Sequence, residues 1–175
     1  LGIFGLGRIG QKTLMLARGL GMKVVAYDPY LPKEIAKNLD VKLLSKEDAF
    51  KKCDLLINHM RLTAETKNFF SSSEFFMMKE KKPYFINVAR GESVDEKALL
   101  EALDKGFIKG CALDVLQSEH PDLESCPFVG RKNVLLSPHA AFYSQTSMVM
   151  LEEIVCQNIV SFFEKRLDDV DWFVD

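Results

Sequence analysis

The chain has 175 residues, 47% of them hydrophobic, which is enough for one well-buried domain. Its 23 basic and 25 acidic residues are interspersed and sum to a net charge of -2, which leaves no electrostatic footprint for nucleic acid or an anionic membrane. No apolar run approaches the roughly 18 residues that span a bilayer, and no signal-peptide pattern opens the chain. Cys53, Cys111, Cys126 and Cys156 form no CxxC pair and no zinc spacing, so no metal is expected. They fit reduced, buried thiols in a cytoplasmic protein. The chain lacks an initiator methionine and begins almost on its first strand, as an excised domain would.

Ile3 and Phe4 start a strand that runs into Gly5-Leu6-Gly7-Arg8-Ile9-Gly10, and Leu14, Leu16, Ala17 and Leu20 continue as a helix stopped at Gly21. In such a unit the first glycine lets the chain turn, the second admits a pyrophosphate to bare backbone, and the third lets helix and sheet approach. The helix start adds its N–H groups and positive dipole end. A strand over 22–27 ends at Asp28, about 20 residues after the glycines, where a carboxylate suits the ribose hydroxyls of NAD. A 2'-phosphate would be repelled there, and Pro29-Tyr30 brings no arginine to receive it.

Further along, the pattern predicts a short helix over Lys33–Asn38, a strand over 41–44 and a helix opened by the capping box at Ser45 and ending at Lys52. A buried strand over Leu55–Asn58 precedes His59 and the polar stretch 63–68. Then come a helix over 73–79, a strand over Tyr84–Asn87, a helix capped by Asp95 and ending before Gly106, strands over 108–113 and Val134–Leu136, and a helix over 145–164. Apolar strands alternating with helices predict an α/β fold, a doubly wound parallel sheet of Rossmann type with helices on both faces. Its ligands bind at the carboxyl ends of the strands. The loops to inspect are therefore 5–10, 28–30, 59–66, 88–91, 114–119 and 139–142.

Three of these loops carry Arg90, Glu119 and His139. Each alone has a plain alternative: a surface arginine, a solvated acid, a capping or core histidine. Together they fit hydride transfer to a 2-keto acid, which needs a cation for the carboxylate and a proton donor for the carbonyl oxygen. A carboxylate beside a histidine favours the imidazolium form. Asp114, at a strand end facing the same crevice, is placed to hold the nicotinamide carboxamide.

In these motifs, and in Asn87–Gly91, Gly110–Val115 and Pro138-His139, the sequence resembles the NAD-binding domain of the D-isomer-specific 2-hydroxyacid dehydrogenases over nearly its whole length. The resemblance implies that Arg90 binds substrate, that Glu119 partners His139, and that His139 is the acid/base. It implies NAD contacts at Gly5, Leu6, Gly7, Arg8, Ile9, Gly10, Asp28, Pro29, Tyr30, His59, Arg61, Leu62, Thr66, Val88, Ala89, Arg90, Asp114, His139 and Ala141. Tyr27-Asp28-Pro29-Tyr30-Leu31 and the run His139 to Ser144 are more similar to the C-terminal-binding-protein branch, where Phe142 would line the substrate side or simply pack. That branch offers the competing role, an NAD-regulated binding protein. A formate or phosphite oxidoreductase is a third, and Glu119 argues against formate, where relatives use glutamine.

Departures from the family pattern are also visible. His59-Met60-Arg61-Leu62-Thr63 lacks the usual proline, which would loosen the cofactor loop, and Gln117 stands where an acid is usual. The substrate-binding lobe is missing from residues 1–175, so this piece is expected to bind NAD and catalyse little alone. Met148, Leu151, Val155, Ile159, Phe162 and Phe163 make an apolar stripe expected to pack on the sheet, with part of it, or residues near Leu103, open to a homodimer partner. The end from Arg166 to Asp171, with Trp172 and Phe173, departs from the family's exit and is expected to order poorly in isolation.

Overall fold

The computed structural model describes residues 1–170, so the expectation for Asp171, Trp172 and Phe173 lies outside the described residues. The chain divides into two compact units, Leu1–His139 and Ala140–Asp175. In the first, β1 (Gly2–Phe4), α1 (Arg8–Gly19), β2 (Val25–Tyr27), α2 (Lys33–Asn38), β3 (Lys42–Leu43), α3 (Lys46–Lys52) and β4 (Leu55–Asn58) follow one another. They continue through α4 (Ser72–Met77), β5 (Tyr84–Asn87), α5 (Glu96–Asp104), β6 (Gly110–Leu113) and β7 (Val134–Leu136). The strands form one sheet in the order β3-β2-β1-β4-β5-β6-β7, and every pairing is parallel.

Alternation along the strands feeds two cores on opposite faces of the sheet. Ile3, Ala26 and Ile57 join Leu14 of α1 and Ala36 of α2, whereas Phe4 and Leu56 join Phe50 of α3, Phe75 of α4 and Leu99 of α5. The second core is aromatic. Phe4 stacks on Phe50 at 5.0 Å and meets Phe70 edge-on at 5.2 Å, and Phe70 lies 4.7 Å from Phe85. Burying each such ring is worth about 2 kcal/mol. Leu103 belongs to this core and is buried.

Polar side chains set the helix starts. The Ser45 hydroxyl accepts the Asp48 N–H and Asp95 accepts those of Lys97 and Ala98. At α4, Ser71 and Glu74 form a capping box, and Lys46 of α3 reaches the same Glu74 at 2.8 Å. Burial pushes the Glu74 carboxyl up, but hydrogen bonds from Lys46, Ser71 and Ser73 outweigh it and hold it at about 2, below the ordinary 4.5. A carboxylate with a depressed folded pKa stabilises above its unfolded pKa and loses that contribution as pH falls through the folded one. Glu74→Gln is therefore expected to destabilise the chain by about 2 kcal/mol at neutral pH, with the difference shrinking as pH falls from 4.5 toward 2. Urea midpoints of both proteins across that range check it.

The thiols divide by place. Cys53 and Cys111 are buried, as expected, and burial raises both pKa values, that of Cys111 to about 12; Cys126 is half-buried and Cys156 is exposed on the terminal helix, against expectation. In the second unit, α6 (Gln145–Phe163) is capped by Ser144, which accepts the Ser147 N–H. Leu151, Val155, Ile159 and Phe162 of the stripe are about half exposed. No described helix is long and apolar enough to cross a membrane.

Candidate active site

The turn after β1 is shaped as its glycines suggest. A Cβ on Gly10 would lie 2.2 Å from the Gly5 carbonyl oxygen, so α1 seats directly on the turn. A Cβ on Gly7, the N-cap of α1, would meet nothing within 4 Å, so the backbone there faces open space of the kind a phosphate can approach. The Asp28 carboxylate is held from two sides, accepting the Leu6 N–H at 2.8 Å and the Tyr30 N–H at 3.0 Å. Leu6 thus serves through its backbone, since its side chain is core. Gly5, Gly7, Asp28, Pro29, Tyr30, His59, Arg61 and Thr66 line one cleft of about 740 Å³. An open phosphate cradle beside an anchored carboxylate fits a dinucleotide.

The far wall of this cleft is the loop after β4. The His59 N–H donates to the Phe4 carbonyl at 2.8 Å, and its Nε2 shares a hydrogen bond with Thr13 of α1 at 2.9 Å. Burial lowers the imidazole pKa below its ordinary value. The missing proline does not leave the loop unsupported: Thr63 N–H donates to Thr66 Oγ1 and Thr66 Oγ1–H to the Arg61 carbonyl, both at 2.7 Å. Across the cleft mouth the Tyr30 hydroxyl donates to Glu65, which raises the phenol pKa.

A second cleft, of about 720 Å³, lies at the ends of β6 and β7 and gathers Asp114, Glu119 and His139, with Leu123, Phe128 and Leu136 on its apolar side. His139 has φ +52, a left-handed conformation that costs a non-glycine residue about 1 kcal/mol. It is held there by its own N–H, which donates to the carbonyls of Asp114 at 2.9 Å and Ser137 at 3.0 Å. The imidazole Nδ1–H donates to the Glu119 carboxylate at 3.1 Å, which fixes the tautomer of the ring. The Ser137 hydroxyl donates to Asp114 Oδ1 at 2.5 Å and orients that carboxylate.

Arg90 lies on the exposed turn after β5, between the two clefts in strand order, and its guanidinium donates to the Ala89 carbonyl at 2.9 Å. Val88, Ala89, Arg90 and Leu62 line neither cleft, and neither do Arg8, Ile9 and Gly10. Ala141 and Phe142 belong to the second unit, in the turn before α6, where the Ser147 hydroxyl donates to the Phe142 carbonyl at 2.6 Å. Two features had no signal in the sequence. Asn58 and Ser93 are wholly buried polar residues beside this region, and a Cβ on Gly91 would lie 1.9 Å from the Leu116 carbonyl oxygen. Gln117 ties the same loops together, donating through its side chain to the Val94 carbonyl and through its N–H to Glu96, both at 2.7 Å.

An all-parallel sheet with a glycine turn, an anchored acid after β2 and ligand clefts at the strand ends defines a dinucleotide-binding domain of Rossmann type. Residues 1–141 match the model of the D-isomer specific 2-hydroxyacid dehydrogenase family, NAD binding domain, and the chain belongs to that family. It is 37% identical over 160 residues to D-3-phosphoglycerate dehydrogenase of Methanocaldococcus jannaschii, covering 91% of this chain and 30% of that protein. It is 35% identical over 167 residues to glyoxylate reductase of Aeropyrum pernix, covering 95% of this chain and 49% of that one. The NAD-complexed D-isomer specific 2-hydroxyacid dehydrogenase of Lactobacillus delbrueckii ssp. bulgaricus superposes with a TM-score of 0.83 at 30% identity, over 93% of this chain and 52% of that chain. The chain thus spans half or less of the two curated relatives, and about half of the solved structure.

Proposed function

We propose that this domain is the cofactor-binding part of an NAD-dependent oxidoreductase that interconverts D-2-hydroxy acids and 2-keto acids. The observation that carries the reading is the Glu119–His139 pair, fixed in a left-handed turn at the carboxyl end of the sheet. Gly7 and the start of α1 would receive the pyrophosphate, Asp28 the ribose hydroxyls, and Asp114 the carboxamide. Bound NAD supplies or accepts the hydride. Arg90 offers a planar fork to the substrate carboxylate. His139 gives a proton from Nε2 to the carbonyl oxygen during reduction and takes it from the hydroxyl during oxidation, while Glu119 holds the ring through its Nδ1–H. A second lobe elsewhere in the full-length protein would close over this face and choose the acid.

A second reading keeps the cofactor and changes the role, making the protein an NAD-regulated binding protein of the C-terminal-binding-protein branch. The segment 27–31, with Tyr30 bridged to Glu65, and the exposed Phe142-Tyr143 pair support it. In either role we place the protein in the cytoplasm as a homodimer, with no nucleic-acid or membrane partner. Incubation of the full-length protein with NADH and a panel of 2-keto acids separates the two: turnover is expected. NADH binding without turnover of any acid would favour the regulatory role, and failure to bind dinucleotide would defeat both.

A further inference from the structure

Asn58 and Asn87 end neighbouring parallel strands as direct register partners, and Ser93 ends the single 3₁₀ turn after Arg90. All three are at most 1% exposed, yet each polar atom has a partner. The Asn58 amide donates to Asn87 Oδ1 at 3.0 Å and to Ser93 Oγ at 2.8 Å, and its oxygen accepts the Met60 N–H at 3.0 Å. Both neighbours then converge on one atom. Asn87 Nδ2 and the Ser93 hydroxyl donate to the Arg90 carbonyl at 3.0 and 2.6 Å, and Asn87 Oδ1 also takes the Ala89 N–H at 3.2 Å. On the other side the Met60 backbone presses on the glycine turn, with a Gly5 Cβ site 2.8 Å from its nitrogen.

A buried amide in an otherwise apolar strand is costly unless every group is paired, and a fully paired network in a low dielectric fixes one arrangement of the segments it joins. Here the segments are the wall of the cofactor cleft and the turn that carries Arg90. We propose that Asn58 is a positioning residue that locks the Arg90 turn to the cofactor loop, so that Arg90 meets the substrate carboxylate in register with the bound dinucleotide. The proposal rests on the oxidoreductase reading. Two donors and one acceptor are needed within the volume of one short side chain, and only asparagine provides them. An aspartate would oppose Asn87 Oδ1 and a leucine would leave the Met60 N–H without its acceptor.

The test uses full-length protein carrying Asn58→Leu, Ser93→Ala, or Ile108→Val as a core control far from the site. Each variant is measured for thermal midpoint, NADH Kd, and KM and kcat for a 2-keto acid that the wild type reduces. Asn58→Leu and Ser93→Ala are each expected to raise KM about tenfold with kcat within about threefold, because the anchor for the substrate carboxylate shifts and the proton donor does not. Asn58→Leu alone should also weaken NADH binding several-fold, since it alone releases Met60. Ile108→Val should lower the midpoint and leave KM unchanged. An unchanged KM in a folded Asn58→Leu protein overturns the proposal, as does an equal rise in the control. If Asn58→Leu fails to fold, Ser93→Ala decides by its own KM. A wild type that turns over no 2-keto acid removes the oxidoreductase reading and this inference with it.

Discussion

Replacing His139 with alanine is expected to cut 2-keto acid reduction by the full-length protein at least about a hundredfold, in the range for loss of a general acid. NADH affinity should stay within a few-fold, because the cradle at Gly7 and the anchored Asp28 carboxylate lie at the other end of the strand order. The separation makes the result specific. A mutation that merely disordered the site would weaken cofactor binding as well. Alanine also leaves the backbone demand in place, since residue 139 keeps φ +52 and its N–H still donates to Asp114 and Ser137. The variant thus removes the imidazole with the smallest change to the turn.

Glu119→Gln is the natural companion within the same experiment. The amide can still accept from Nδ1–H but carries no negative charge, so it tests charge apart from geometry. Both groups are substantially exposed, at 41% and 62%, and a polar contact so wet contributes little to folding. Its worth must therefore appear in turnover and not in the melting midpoint. A lost midpoint with retained turnover in either variant would refute the assignment.

Local chemistry made much of the fold legible. Asp95 ahead of an apolar helix and Gly106 after it bounded α5 correctly, and continuous apolar runs located β4, β5 and β7 to the residue. The expected strand over 22–27 shrinks to Val25–Tyr27, because its ladder lasts only as long as the three residues of β1 beside it. The site was legible where one residue type needs one partner, as with Glu119 and His139. It was hidden where the cause is a tertiary approach. Asn58 reads as the end of an apolar run until β5 is laid beside it. Likewise, Gln117 reads as a substitution until its two hydrogen bonds to Val94 and Glu96 are seen. The left-handed backbone at His139 has no signature in a Pro-His-Ala sequence, because it is imposed by the two carbonyls that its N–H must reach.

Gly91 is such a case, and its replacement carries the second large effect. In the folded protein a Cβ there would fall 1.9 Å from the Leu116 carbonyl oxygen and 2.5 Å from the Gln117 nitrogen. Both obstacles are backbone, so no rotamer change relieves the clash; the Arg90 turn or the loop that carries Glu119 must move bodily. Overpacking of this kind is expected to cost Gly91→Ala about 3 kcal/mol in urea unfolding. The displaced loops bear Arg90 and Glu119, the proposed substrate cation and the proposed partner of the proton donor, and a shift near 1 Å is enough to lower turnover about a hundredfold. The cleft that holds Gly7 and Asp28 contains none of these residues, so NADH titration should show a smaller change than turnover does. A Gly91→Ala protein with wild-type midpoint and turnover would mean that the two loops do not need this close approach and that Arg90 and Glu119 need not serve one substrate.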